Sequence, residues 1–168
     1  MTQQREPFQP GQNQHNGRRI LVIGYGNTLR RDDAAGVRAA EAVEALGLPG
    51  VQVRISHQLN PELAEDLAQA DTAVFLDARP IDGTRRVDVK EIEPRAGASC
   101  LAHTGDPEYL LHLSSIAYGK TPQAWMVTLP AADFSVGEGL SATTIKAVGE
   151  AIQIVQGICL GKPPIRRE

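Results

Sequence analysis

The sequence predicts one α/β domain with three layers, in which a mainly parallel central sheet carries helices on both faces. Apolar runs alternate with segments of helical periodicity from Arg19 onward, which is the pattern of β-α-β units. The runs "ILVIG" and "TAVFLDA" are almost entirely apolar, as strands buried on both faces are. A chain of 168 residues with 42% hydrophobic content can bury one core and is too short to favour two.

The elements in the first half are two strands and two helices. "ILVIG" predicts the first strand and "VQVRI" the second. The first helix ends at "GLPG", and the second opens at Pro61. Apolar residues at near-helical spacing mark these helices: Val37, Ala40, Val43 and Leu46 in the first, and Leu63 and Leu67 in the second.

The second half continues the alternation. "TAVFLDA" is more uniformly apolar than the second strand and is expected to be central, whereas "IDGTRRVDVKEIEP" suits an edge strand. A third helix is predicted to begin near Asp106 and Pro107, and "AWMVTLP" is the last strand. The last helix is expected to be lined by Ile145, Val148, Ile152 and Val155.

The terminal segments and the composition limit the kinds of function that the sequence is compatible with. Residues 1–18 are rich in Gln, Asn, Pro and Gly and predict a disordered leader, so the domain spans residues 19–160 and residues 161–168 form a loose tail. A net charge of −3 disfavours nucleic acid as a partner. Neither a membrane span nor a signal peptide is evident, and a cytoplasmic protein is expected. Cys100 and Cys159 lack the spacing of a zinc site.

Two aspartates are expected to meet at the carboxyl edge of the sheet. Ligand sites of such sheets lie beyond the carboxyl ends of the strands, where successive connections leave in opposite directions. If the strand order runs 2-1-3, Asp33, just after the first strand, and Asp77, at the end of the third, face one crevice. Judged from its position alone, Asp77 could instead cap a loop or pair with Arg79.

The turn "GYGNTLRRDD" permits two interpretations. Gly24 and Gly26 match the first two glycines of a dinucleotide-binding turn, but Leu29 occupies the third position. Two aspartates at the following helix would also repel a pyrophosphate. Adjacent carboxylates repel each other, so we assign Asp32 to a helix cap or local support and Asp33 to chemistry.

Histidines supply the remaining candidate side chains. His103 precedes the third helix, where it could cap the helix, lie on the surface or act in the site. His57 follows the second strand at a carboxyl end and could line the crevice. Two carboxylates and one imidazole suit a borderline divalent ion, and the same trio could also perform acid–base chemistry without a metal.

The motifs "GYGNTLRRDDAAG", "FLDA" and "AHTGDPEYLL" together resemble the hydrogenase maturation proteases, over nearly everything from Arg19 to about Gln156. These endopeptidases remove a C-terminal peptide from the large subunit of nickel–iron hydrogenases after nickel insertion. The resemblance implies that Asp33, Asp77 and His103 are metal ligands and that the two aspartates serve catalysis, in an aspartic-type or metal-assisted peptidase.

The resemblance also implies a partner and a source of metal. The partner is the nickel-loaded large-subunit precursor, and the metal is the nickel that this client carries, so a tightly bound resident metal is not expected. "HQLNPEL" replaces a Gly-Thr-rich turn and looks like the subgroup that serves soluble bidirectional, cofactor-reducing hydrogenases. The alternatives are a nickel-binding chaperone and a dinucleotide-binding domain without peptidase activity. The residues expected to line the site are Gly26, Asn27, Asp32, His57 and Gln58.

Overall fold

Five strands and four helices follow one another in the part of the chain that the computed structural model describes, residues 17–96, 105–162 and 164. A single 3₁₀ turn, Arg31–Ala34, leads into the first α-helix. In chain order the elements are β1 (Ile20–Tyr25), α1 (Ala35–Ala45), β2 (Val51–Ser56), α2 (Leu63–Gln69), β3 (Thr72–Pro80), β4 (Asp88–Ile92), α3 (Pro107–Tyr118), β5 (Gln123–Ala131) and α4 (Ala142–Cys159).

The strands form one sheet in the order β2-β1-β3-β5-β4. The first four of these strands are parallel, and β4 pairs antiparallel with β5 at the edge. This arrangement confirms the predicted 2-1-3 order, the central third strand and the edge strand. The residues of β3 from Thr72 to Leu76 are all buried, because the strand has neighbours on both sides and helices on both faces.

Helices cover both faces, which confirms the three-layer α/β class. On one face α1 packs with α4, and on the other α2 packs with α3. The first layer buries Val22, Val74 and Val127 with the small residues of α1 and α4, whereas the second buries Ile23 and Phe75 against the leucines of α2 and α3. Each strand therefore contributes alternate residues to two cores.

Two glycines let α1 lie directly on the strand ends. A Cβ atom on Gly24 would lie 2.4 Å from the Ala40 Cβ, and one on Gly36 would lie 2.2 Å from the Leu76 carbonyl oxygen. Both separations are shorter than real contacts allow, so these positions accept glycine alone at this helix–strand distance. The close approach fixes the start of α1, and with it Asp33, against the carboxyl edge of the sheet.

Some local predictions needed correction. The first helix begins at Ala35, because the two aspartates lie in the preceding 3₁₀ turn, and it ends at Ala45, which leaves Leu46 exposed. In α4, Ile145 is exposed, since Ala147, Ala151, Val155 and Ile158 set the buried stripe. Most of the predicted leader and tail lies outside the described residues. Within the described ranges, every helix is too short or too polar to cross a membrane.

Candidate functional site

Asp33 is held at the end of β1 by the turn that follows the strand. The Asn27 backbone N–H donates to Asp33 Oδ2 at 3.0 Å. The Asn27 side-chain oxygen accepts the Leu29 N–H at 2.9 Å, which closes a turn of the Asx type. Asn27 thus shapes the loop with its side chain and orients the Asp33 carboxylate with its backbone.

Gly26 packs directly against the backbone of Asp33. Its φ of 146° lies in the region that favours glycine, and a Cβ atom there would lie 2.0 Å from the Asp33 carbonyl oxygen. A side chain at this position would therefore clash with the Asp33 backbone, so the turn requires glycine to hold Asp33 at this distance from β1.

Asp77 lies half-buried on β3 and faces the same crevice. Its Oδ1 accepts the Ala78 backbone N–H at 2.8 Å. Burial raises the pKa of Asp77 to about 6, and the nearby negative charge of Asp33 adds to the increase, although the Ala78 N–H and the neighbouring Tyr25 hydroxyl oppose it. The alternative pairing of Asp77 with Arg79 is not observed, since Arg79 pairs with Asp82 at 3.4 Å.

The N-terminus of α3 lies near the end of β1, since the charge of Asp106 acts on the Tyr25 hydroxyl. Asp106 caps this helix by accepting the Glu108 N–H at 3.0 Å. Burial raises the pKa of Tyr25 well above its ordinary value, and the charges of Asp77 and Asp106 raise it further, so the phenol keeps its proton.

These positions test part of the predicted metal site, which consists of Asp33, Asp77 and His103. Asp33 and Asp77 approach closely enough for the charge of one to raise the pKa of the other. His103 lies outside the described residues. Within the described ranges, no three His, Cys, Asp or Glu side chains are grouped so as to hold a metal ion. The three-residue ligand set therefore stays a prediction.

Asp32, the other member of the acidic pair, is fully buried and structural. Its Oδ2 accepts the N–H groups of Ala132 and Asp133 at 2.8 and 2.9 Å and the Ser141 hydroxyl at 2.7 Å. Its Oδ1 accepts the Ser141 N–H at 2.7 Å. Burial tends to raise the pKa of Asp32, but these hydrogen bonds outweigh it and lower the pKa below its ordinary value.

The partners of Asp32 contradict one part of the prediction made for it and agree with the other. The cap is wrong, because no side chain caps the helical turn that contains Asp32 or the helix that follows. The local support is observed, but it joins the 3₁₀ turn to the β5–α4 loop about a hundred residues away. Ser141 is itself the N-cap of α4, so one buried carboxylate organises both chain segments.

Several solved structures that resemble this arrangement are hydrogenase maturation enzymes. The hydrogenase maturating endopeptidase HybD from E. coli superposes with a TM-score of 0.68 at 24% identity, over 83% of this chain and 91% of that one. HybD from Thermococcus kodakarensis gives 0.64 at 19%, over 84% and 99%. A hydrogenase 2 maturation peptidase from Thaumarchaeota archaeon SCGC_AB-539-E09 gives 0.63 at 24%, over 86% and 99%.

The chain has the hydrogenase maturation protease fold. This similarity confirms the resemblance stated from the sequence at the level of fold. No protein-family profile and no curated protein sequence matches the chain. Because the identities are below 25%, the individual roles of the site residues rest on the geometry of this chain and on its motifs.

The maturation-protease fold also brings the end of β2 to the site. The Gly26 N–H donates to the Ser56 carbonyl at 3.3 Å, so the segment after β2 begins beside the turn that holds Asp33. His57 and Gln58 are both exposed there, and the Gln58 carbonyl accepts the Ser56 hydroxyl. Their position at the carboxyl edge is compatible with a rim, and their role in the site stays a prediction.

Tyr25 and Ser141 have surroundings that the local sequence does not reveal. Tyr25 ends β1 and was read as part of a glycine-rich turn, although its face of the sheet follows from the register with β3. Ser141 belongs to a Gly-Leu-Ser motif at the start of α4, a recognisable N-cap, but its hydrogen bonds to Asp32 span 109 residues. Local sequence signals a cap at such a position but not its distant partner.

Proposed function

We propose that this protein is the endopeptidase that removes the C-terminal peptide from the nickel-loaded large subunit of a nickel–iron hydrogenase during maturation. The observation that carries the proposal is the meeting of Asp33 and Asp77 at neighbouring strand ends of a maturation-protease fold. These are the two carboxylates to which the motif resemblance assigns metal binding and catalysis.

In this proposal Asp33, Asp77 and His103 bind the nickel that the client carries. His103 precedes the helix cap Asp106 by three residues in the sequence, and Asp106 acts electrostatically on Tyr25 beside Asp77. One imidazole and two carboxylates are ligands that nickel accepts, and they leave coordination positions for client thiolates or water. The site should hold free metal weakly, because an enzyme that captured nickel alone could not use it to test its client.

The two carboxylates also suit hydrolysis. Before the client's nickel binds, a pKa of about 6 lets Asp77 exchange a proton near neutral pH. We assign to nickel the positioning of the scissile peptide and to Asp77 the proton transfer. Asp77 takes a proton from the attacking water as oxygen bonds to the carbonyl carbon, and it returns the proton to the leaving amine nitrogen as the C–N bond breaks.

The proposal extends to the choice of client and to the compartment. The exposed His57 and Gln58 stand at the carboxyl edge where a large precursor would approach the aspartates. We assign to them the selection of the large subunit, in the subgroup that serves soluble bidirectional hydrogenases. The reaction then takes place in the cytoplasm, where the precursor receives its nickel.

The experiment incubates the purified chain with a nickel-loaded large-subunit precursor and follows the intact mass of the precursor. Wild type should remove one C-terminal peptide, and Asp33→Asn, Asp77→Asn and His103→Asn should each leave the precursor at full length. Asp88→Asn is the matched control, because Asp88 is exposed on the edge strand β4. Tight binding of free nickel by wild type without cleavage would indicate a nickel chaperone instead.

A further inference from the structure

We propose that Leu29 and Val136 dock the nickel-loaded precursor, whose own apolar surface covers both side chains while its peptide reaches Asp33. We call these two residues the docking patch. The inference rests on the proposed function for the identity of the partner. It goes beyond that function, because neither residue has a part in the metal binding, proton transfer or client selection assigned above.

The docking patch consists of large apolar side chains that the fold leaves in water. Leu29 is 62% exposed and Val136 is 84% exposed. Single exposed apolar residues are common on protein surfaces, but these two belong to segments that pair with each other. The Gly137 N–H donates to the Leu29 carbonyl at 2.9 Å, and the Gly137 carbonyl accepts the Arg31 N–H at 3.0 Å. The patch is therefore built from two distant chain segments that the fold joins.

The backbone beneath the patch is held firmly from the inside of the protein. The Asp32 N–H donates to the Asp133 carbonyl at 3.0 Å, and the buried Asp32 carboxylate accepts the N–H groups of Ala132 and Asp133. These contacts impose a φ of 43° on Arg31, which is unfavourable for a residue other than glycine. A surface that is already ordered loses little conformational entropy when a partner binds.

The patch lies at the mouth of the candidate site. The Asn27 side-chain oxygen accepts the Leu29 N–H at 2.9 Å, while the Asn27 N–H donates to the Asp33 carboxylate at 3.0 Å, so one residue links the patch to the site. The two paired segments follow β1 and β5, and β3, which carries Asp77, lies between these strands in the sheet. A client peptide that reaches the two aspartates therefore approaches the edge that carries the patch.

The chemistry of the patch favours an apolar partner surface over a charged one. The two arginines that follow Leu29 have partners within the protein, since the Arg30 Nε donates to the Phe134 carbonyl at 3.1 Å and Arg31 pairs with Asp133 at 3.5 Å. Leu29 itself is thus the group that this turn presents to a partner. Covering it with an apolar face of the precursor removes apolar area from water, which favours binding.

The test measures cleavage of the nickel-loaded precursor by wild type, Leu29→Ser, Val136→Ser and the double variant. Serine is neutral, so these substitutions leave the charge of the site unchanged. Each single substitution should raise KM roughly tenfold and change kcat less than about twofold, because the lost contact holds the client equally in the ground state and the transition state. Leu29→Met keeps the apolar area and should keep the KM of wild type within about threefold.

Leu160→Ser is the matched control. Leu160 is 66% exposed, as Leu29 is to a similar extent, but it follows α4 at the opposite edge of the sheet, where the next residue, Gly161, lies beside Arg18. Leu160→Ser should leave kcat and KM unchanged. The positions tested are exposed, so every variant should unfold in urea within about 0.5 kcal/mol of wild type, which separates docking from folding.

The outcomes separate the inference from the proposed function. If wild type cuts the precursor and the double variant has the same KM, or loses kcat alone, the inference fails and the proposed function stands. If wild type leaves the loaded precursor uncut, the proposed function fails. Precursor binding that wild type retains and the double variant loses would then still support docking, whereas equal binding or none would overturn it. A wild-type dimer that the double variant converts to a monomer would assign the patch to a second copy and also overturn the inference.

Discussion

Replacing Asp32 with asparagine should destabilise the protein far more than loss of a helix cap. The carboxylate is fully buried and accepts four hydrogen bonds, three at Oδ2 and one at Oδ1. An amide nitrogen cannot accept, so in either orientation it faces at least one donor. In the better orientation it replaces Oδ1 and points at the Ser141 N–H.

The magnitude follows from these contacts. One charge-assisted bond, worth about 1.5–3 kcal/mol, is replaced by two opposed donors, and the other three bonds lose the charge that strengthened them. We expect Asp32→Asn to lower the free energy of unfolding by about 3–5 kcal/mol, as breaking a buried charged network does. The cap predicted from the sequence would have contributed about 1 kcal/mol.

Urea unfolding followed by circular dichroism measures this loss at pH 7, with Asp88→Asn as the exposed control that should stay within about 0.5 kcal/mol of wild type. The pKa of Asp32 is lowered in the folded state, so its stabilisation is complete above the ordinary value of 3.8 and is lost as the pH falls through the folded pKa. The difference between wild type and Asp32→Asn should therefore be constant from about pH 5 to pH 8 and shrink below about pH 4. A variant within about 0.5 kcal/mol of wild type at pH 7 would refute the structural role of Asp32.

Three further predictions concern stability and reactivity. Asp77→Asn should stabilise the fold at pH 8 by up to about 3 kcal/mol, because the pKa of Asp77 is about 6 in the folded protein against an ordinary 3.8, which makes the ionised carboxylate costly above pH 6. The gain should vanish near pH 4, and a difference that does not depend on pH would contradict the prediction. Gly36→Ala should lower the free energy of unfolding by more than about 3 kcal/mol, because its Cβ atom would lie 2.2 Å from the Leu76 carbonyl oxygen. Gly149→Ala, which has open space around it, should be neutral or slightly stabilising in the same urea unfolding experiment. Burial raises the pKa of Cys159 to about 11. In a Cys100→Ser background, its thiol should therefore react with a disulfide reagent at pH 8 about a hundredfold more slowly than a free cysteine. An equal rate would be incompatible with that burial.

The sheet could be predicted from the sequence because burial on both faces imposes a simple pattern. β1 and β3 tolerate few polar residues, since each is covered by helices on two sides, and their apolar runs identify them as central. The strand order then places the ends of β1 and β3 together. Asp33 and Asp77 were therefore predicted to share a crevice from topology alone, and their electrostatic interaction in the structure agrees.

Contacts between distant segments could not be predicted in the same way. Asp32 resembles a helix cap when it is read with its neighbours, and its partners Ala132, Asp133 and Ser141 become adjacent after the sheet has formed. The face on which Tyr25 lies depends on register, and a shift of one residue would reverse it. His103 lies outside the described residues, so its ligand role rests on the motif alone.

Nickel dependence of cleavage tests the central claim most directly. The same large-subunit precursor, prepared with and without nickel, is incubated with the purified chain, and the intact mass of each form is followed over time. Recognition of the client's nickel by Asp33, Asp77 and His103 predicts that the loaded precursor loses its C-terminal peptide while the nickel-free precursor keeps its full mass. Equal cleavage of the two forms would contradict nickel recognition by this site.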